Sequence, residues 1–252
     1  RPPRSTLFPY TMLFRSSQIG GPLTTGSIEI NSDSIDLDVS TSIQSSGALI
    51  IRPRIATTQL QLGRDAVDVG LQLDDQELST LAPGFSEIII GDPVLGTGII
   101  NIDDATFTSP VSIVGGSISV SELSAVADST PRAIILTART GAITDGGDNG
   151  VDITAASLVA TAHSGIGTNA NAIETSVAQL EASGGSGGIN LANANALIVG
   201  GISEFTGLSA TGGNVNISSS ASLTINEWIV NSGGGDIAFS TIGTGDITIS
   251  AN

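Results

Sequence analysis

The chain repeats itself at the scale of a β-strand. Gly188 to Val199 reads GINLANANALIV and Asn214 to Ile225 reads NVNISSSASLTI, so Ile189, Leu191, Leu197 and Val199 return 26 positions later as Val215, Ile217, Leu223 and Ile225. In both copies the apolar positions are separated by Ser, Asn, Ala and Thr, which is the period of a strand with one buried face. One such unit cannot cover its own apolar face. Units that return every 20 to 30 residues or so do it by stacking, as in a solenoid. Spacings of 22 from Val215 to Ile237 and from Ile28 to Ile50 extend the pattern. The predicted fold is all-β, a right-handed parallel β-helix over residues 17–252, with roughly ten rungs along a rod on the order of 50 Å long. An array of β-sandwiches is the alternative, because it also gives short strands at regular spacing. Turns of variable length between rungs of constant content favour the solenoid.

The rest of the chain fits this reading with two exceptions. GSIEI at Gly26 to Ile30, SIDLDV at Ser34 to Val39 and TQLQL at Thr58 to Leu62 alternate in the same way. GSISV from Gly116, GVDIT from Gly150, GGDIAF from Gly234 and GDITI from Gly245 share one formula. In it a glycine supplies a turn with positive φ and the next residues enter a strand. Asp74 to Leu81 instead reads as a short helical turn, with acidic residues at its N-terminus and Pro83-Gly84 ending it. Gly165 to Ala182 places Ile173, Val177 and Leu180 at spacings of four and three, which predicts a brief helix or a loop thrown out from one rung.

Residues 1–16, RPPRSTLFPYTMLFRS, resemble at all but one position a translated sequencing adapter, which would have Thr in place of Met12. Pro2, Pro3 and Pro9 break any amphipathic targeting helix there. The segment is expected to be non-native and unstructured, with the natural sequence a single solenoid fragment, 17–252, open at both ends. Eight basic residues less Arg1, Arg4 and Arg15 leave five, against 24 acidic ones, a formal charge of −19. No Lys or Arg follows Arg139. Such a chain repels phosphate backbones and anionic lipid, so nucleic acid is excluded as a partner. Cations, glycans and neutral or basic proteins remain. The absence of Cys excludes disulfides and thiolate metal sites, and a single His163 argues against zinc. No stretch approaches the ~18 consecutive apolar residues of a membrane span, so no membrane insertion is expected within this sequence.

Few residues could carry chemistry. Asp74-Asp75 and Asp103-Asp104 are carboxylate doublets, but neighbours on a strand point to opposite faces, and solvated turns are the simpler reading. Gly146 to Asp152, GGDNGVD, resembles the calcium-binding β-roll nonapeptide with one residue too many and no tandem copy. It makes Asp148 and Asp152 the candidate calcium ligands, with a plain Asp/Gly turn as the alternative. His163 is expected at the surface, where no Ser-His-Asp order can be assigned around it. A polysaccharide lyase or hydrolase would need carboxylates with basic residues in a lateral groove, and the candidates are Arg52, Arg54, Arg64, Arg132 and Arg139. Arg132 and Arg139 flank Ile134 to Leu136 and could reach one surface. Of the aromatic residues Phe85, Phe107, Phe205, Trp228 and Phe239, most are expected inside the coil, with Trp228 the best candidate for exposure.

DQELSTLAPGFSEIIIGD at Asp75 to Asp92, GTGIINI at Gly96 to Ile102, GIGTNANAIET from Gly165, GGINLANANALIVGGI from Gly187 and GGNVNISSSASLTINE from Gly212 resemble the filamentous haemagglutinin-like β-strand repeats of large bacterial adhesin-like proteins. The resemblance covers most of residues 17–252. It implies a right-handed parallel β-helix, export to the bacterial outer surface or beyond it, and roles in adhesion, aggregation or biofilm. The reading that follows is a non-enzymatic stalk without a cofactor, whose neighbours are further rungs of its parent and whose partners are host or bacterial surface glycans or proteins. A polysaccharide-active β-helix enzyme is the alternative, and a calcium-binding β-roll the third reading.

Overall fold

A computed structural model describes residues 12–14, 18–64, 70–147, 150–203 and 207–250. They form a parallel β-solenoid of about ten turns. One face is a continuous ladder of ten strands: Ile28–Asn31, Leu49–Arg52, Ile88–Ile90, Val111–Gly115, Ala133–Ala138, Ser157–Ala162, Gln179–Gly184, Leu197–Val199, Leu223–Ile225 and Ile247–Ile249. Register fixes what stacks on what. Ile28, Leu49, Ile88, Val111, Ile134, Leu158, Leu180, Val199, Ile225 and Ile249 form one inward column, each covering the residue before it. From Leu49 to Ile225 this column is buried. Each such side chain contributes about 1.5–3 kcal/mol by leaving water.

Two further faces complete each turn. Strands Ile99–Asp103, Ser117–Val120 and Ile143–Asp145 make one of them, and Ala105–Phe107, Leu123–Ala127, Ile153–Thr154 and Ile173–Ser176 make the other. Ile189–Asn193 then fuses the two: Ile189 bridges to Ile166, and Leu191 to Asn193 pair with Ile173 to Thr175. The opposite change follows at Gln179–Gly184, whose first half pairs with Leu197–Val199 and whose second half pairs with Leu208–Ala210. A corner is lost on one side and gained on another, so three short strands per turn resume. Buried Asn193 sits at this transition with its amide used: it accepts from Thr175 Oγ1 at 2.9 Å and from the Val177 N–H at 3.0 Å, and donates to the carbonyls of Val177 and Asn195.

The 26-residue repeat is confirmed residue by residue, Ile189 on Val215 through Val199 on Ile225, as is Val215 on Ile237. The Ile28 to Ile50 spacing is corrected: Ile28 stacks on Leu49, and Ile50 lies beside Glu29 on the outside. Of the helix or loop expected over Gly165 to Ala182, the loop is present and the helix is not. Only residues 167–172 leave the rung; Ile173 and Leu180 are buried inward residues of two strands, and Val177 is buried at the corner between them. The corner resets the strand phase, and that imitates helical spacing. The glycine formula needs revision as well. Gly234 has φ +82, but Gly116 and Gly245 are not at positive φ. A Cβ there would lie 2.2 Å from the Thr97 carbonyl oxygen and 2.5 Å from the Ala221 carbonyl, so close approach between rungs excludes a side chain.

The helical turn is present as Asp75–Leu78, with Asp74 as N-cap and a reciprocal capping box to Glu77. Glu77 is buried and also accepts the Leu37 N–H at 3.1 Å, which pins the turn to strand Ile35–Leu37. Met12–Phe14 pairs in parallel with Ile35–Leu37, so three residues of the leading segment add a strand, while 1–11 and 15–16 lie outside the described residues. No described helix is long and apolar enough to cross a membrane.

The last described turn exposes the apolar cross-section. Ile249 is 67% exposed, whereas Ile225 beneath it is 1% exposed. The first described turn differs, since Ile30, Ile35 and Leu37 are buried. Open strand edges over apolar surface recruit further strands. Concentration-dependent self-association in analytical ultracentrifugation is therefore expected, weakened by Ile249→Lys; a strictly monomeric parent at high concentration would contradict it. Leu223→Asp places an unpaired charge at a fully buried position and should destabilise by about 4 kcal/mol or more. Thr224→Asp, on the outer side of the same strand, should change the melting temperature little, and equal melting of the two variants would overturn the register.

Candidate functional site

The helical turn opens a cleft of about 500 Å³ against the rung at 104–108. Leu78, Leu81 and Phe107 form its apolar wall, and Asp75, Asp104 and Thr106 its polar side. Asp75 is placed by the capping box, and Asp104 by a left-handed backbone at φ 56, which Asp tolerates between the strands ending at Asp103 and starting at Ala105. The Arg64 guanidinium bonds to the Asp104 carboxylate. That bond and the Asp104 charge, helped by Asp103 and Asp75, raise the Arg64 pKa above its ordinary value. One member of each carboxylate doublet, Asp75 and Asp104, thus lines a single cleft, with Arg64 bonded to Asp104 beside it. Nothing local signals this, because the rungs do it.

Two of the other arginines, Arg52 and Arg139, meet at Asp92 and Pro93. Arg52 donates from Nε to Glu29 at 2.8 Å and lies 3.7 Å from Asp92. Asp92 is lowered below the usual carboxylate pKa first by accepting the Leu95 and Val94 N–H groups, and then by the charges of Arg52 and Arg139. Arg139 donates to the Pro93 carbonyl oxygen. Arg132 and Arg139 flank the two ends of Ala133–Ala138, and the strand keeps them apart. The Arg54 N–H donates to Asp33. His163 is exposed just past Ser157–Ala162, as expected. Phe85 and Phe107 are buried, Phe239 packs against the core in part, and Trp228 is 62% exposed. Phe205 lies outside the described residues.

Of the candidate calcium ligands, Asp148 lies outside the described residues, and Asp152 is not a solvated turn residue but fully buried. Its Oδ2 accepts the Glu174 N–H at 2.7 Å. Burial pushes the Asp152 carboxyl up to about 8, the Glu174 N–H opposes this, and the nearby Asp145 and Glu174 carboxyls add to the rise. Asp145 and Glu174 escaped the sequence reading. The available signal was the 22-residue offset between Asp152 and Glu174, one rung.

No protein-family model, curated protein or solved structure matches the chain.

Asp152 sets a pH dependence. Between the ordinary value of 3.8 and about 8 the folded chain keeps a proton that the unfolded chain releases, so stability falls as pH rises through that window. In chelator, the melting temperature of Asp152→Asn relative to the parent should therefore climb from pH 5 to pH 8.5. A constant difference would show that Asp152 ionises normally.

Proposed function

We propose that the chain is a non-catalytic stalk segment of a large extracellular bacterial adhesin-like protein of the filamentous haemagglutinin-like kind, acting at the cell surface toward glycans or proteins. The observation that carries this reading is the unbroken inward column from Leu49 to Ile225. A rod built this way passes force from turn to turn through many backbone hydrogen bonds while its core stays dry. Its outer side supports the reading too. Ser183 and Ser209, Asn190 and Asn216, and Thr106 and Ser124 bond across rungs at 3.0, 2.8 and 3.2 Å, leaving a surface of short neutral polar groups. Acidic turns keep such rods apart in solution.

A second reading, a polysaccharide lyase or hydrolase, is favoured by one observation, the meeting of Asp75, Asp104 and Arg64 at a cleft. Carboxylates beside an arginine can bind an acidic sugar and move a proton at its ring. Incubation of the protein with neutral and acidic polysaccharides, following polymer length and protein retention together, separates the two. The stalk reading expects no shortening of any polymer, and retention on one of them would mark an adhesive rung. Shortening that is lost in Asp104→Asn, a residue that keeps the left-handed backbone accessible, would replace the stalk by the enzyme.

A further inference from the structure

We propose that the corner between Ile143–Asp145 and Ile153–Thr154 is a divalent-cation site, with Asp145 and Asp152 as its carboxylate ligands and calcium as the ion that fits. The inference goes beyond the stalk reading and does not depend on it. Asp152 is 0% exposed and Asp145 9% exposed. Each spends one oxygen on the backbone: Asp152 Oδ2 accepts from Glu174 N–H at 2.7 Å, and Asp145 Oδ1 from Gly147 N–H at 2.7 Å. The other oxygen of each, Asp152 Oδ1 and Asp145 Oδ2, is buried and accepts from no N–H or hydroxyl, and only a shared proton lets the Asp152 carboxyl hydrogen-bond with that of Glu174.

Two orphaned carboxylate oxygens in one corner are costly unless a positive charge offsets them. The groups whose charges act on Asp152 are Asp145 and Glu174, both acidic. The sequence has no Lys or Arg beyond Arg139. A cation from solution supplies what the chain does not. Oxygen donors select a hard ion over zinc or copper, and an irregular corner suits the variable coordination of calcium better than the strict octahedron of magnesium. Among the described residues no three His, Asp or Glu side chains converge on one point. Glu174, whose carboxyl acts on Asp152 by charge and by a side-chain hydrogen bond, borders the two and adds to the negative charge that a divalent ion would offset.

The test is calcium titration of the full chain, freed of metal by chelator, by calorimetry at fixed ionic strength. Melting in chelator, calcium and magnesium runs beside it. The expected result is one calcium per chain, a higher melting temperature in calcium than in magnesium, and a loss of affinity of about ten-fold or more in Asp145→Asn and in Asp152→Asn. Asp236→Asn, an exposed carboxylate on the last turn, should bind like the parent. Hydrogen exchange on the unaltered chain guards against a variant that fails to fold: calcium should slow exchange at the Gly147 and Glu174 amides, which donate to the two carboxylates. No heat and no shift in melting between chelator and millimolar calcium would mean that protons alone neutralise the corner, and would overturn the site. So would binding that survives unchanged in both corner variants, since the ions would then be gathered by the acidic surface at large.

Discussion

Everything in this molecule depends on one residue lying directly over its counterpart in the next turn. Leu180 is buried because Leu158 lies beneath it and Val199 above it, and the same holds along the column. Stability in such a stack is a sum of nearest-neighbour terms, so a fault at one position reaches the turns on either side and fades beyond them. The close approach that stacking demands also explains the glycines at Gly116 and Gly245, where any side chain would strike the carbonyl of the turn below. The interior tolerates no change of phase along a face. Changes of phase are confined to corners, as at Val177 and where Ile189–Asn193 takes over from two shorter strands.

This explains which parts were legible in the sequence. The pair of rungs from Gly188 to Ile225 could be aligned by eye because each apolar residue is flanked by polar ones and the two copies have equal length. Ile28 was misaligned because Leu49, Ile50 and Ile51 are all apolar, and alternation alone cannot tell which of them faces inward. The outer positions Ile50, Ile89, Ser112, Ile135 and Val159 stand in one register, so the exterior of this face carries β-branched apolar residues at four of these five positions. A sheet that is apolar on both sides erases its own period. The capping box from Asp74 to Glu77 was readable because its chemistry is local, whereas Val177 misled because corner geometry is not.

The cleft and the carboxyl corner were hidden for a different reason. Asp75 and Asp104 are far apart along the chain and lie on different elements, an inserted helical turn and a junction between strands. Only the rung length brings them together, and the insertion between Arg52 and Ile88 makes that length irregular here. Both features lie where the chain leaves the regular faces. In a solenoid this is where the backbone is free to vary, since a turn can lengthen without moving the column inside it.

Buried carboxylates show how far the fold can accommodate charge by itself. Glu181 lies on the outer side of Gln179–Gly184 and is as deeply buried as Asp152, under the excursion that follows Val199. There the chain has answered the charge: Glu181 Oε1 accepts the N–H groups of Ile202 and Ser203 at 2.7 and 2.9 Å, and Oε2 accepts the Ser203 hydroxyl. Both of its oxygens are satisfied by a loop that closes over them. At the corner of Asp145 and Asp152 each carboxylate receives a single backbone N–H, and its second oxygen receives none. The same architecture thus holds Glu181 and Glu77 buried with all their oxygens partnered, and a pair with two left over. Donors from the chain suffice to bury a carboxylate in this solenoid, so the unmet oxygens of that pair mark a demand, for a proton or a cation, that the strands around them do not meet.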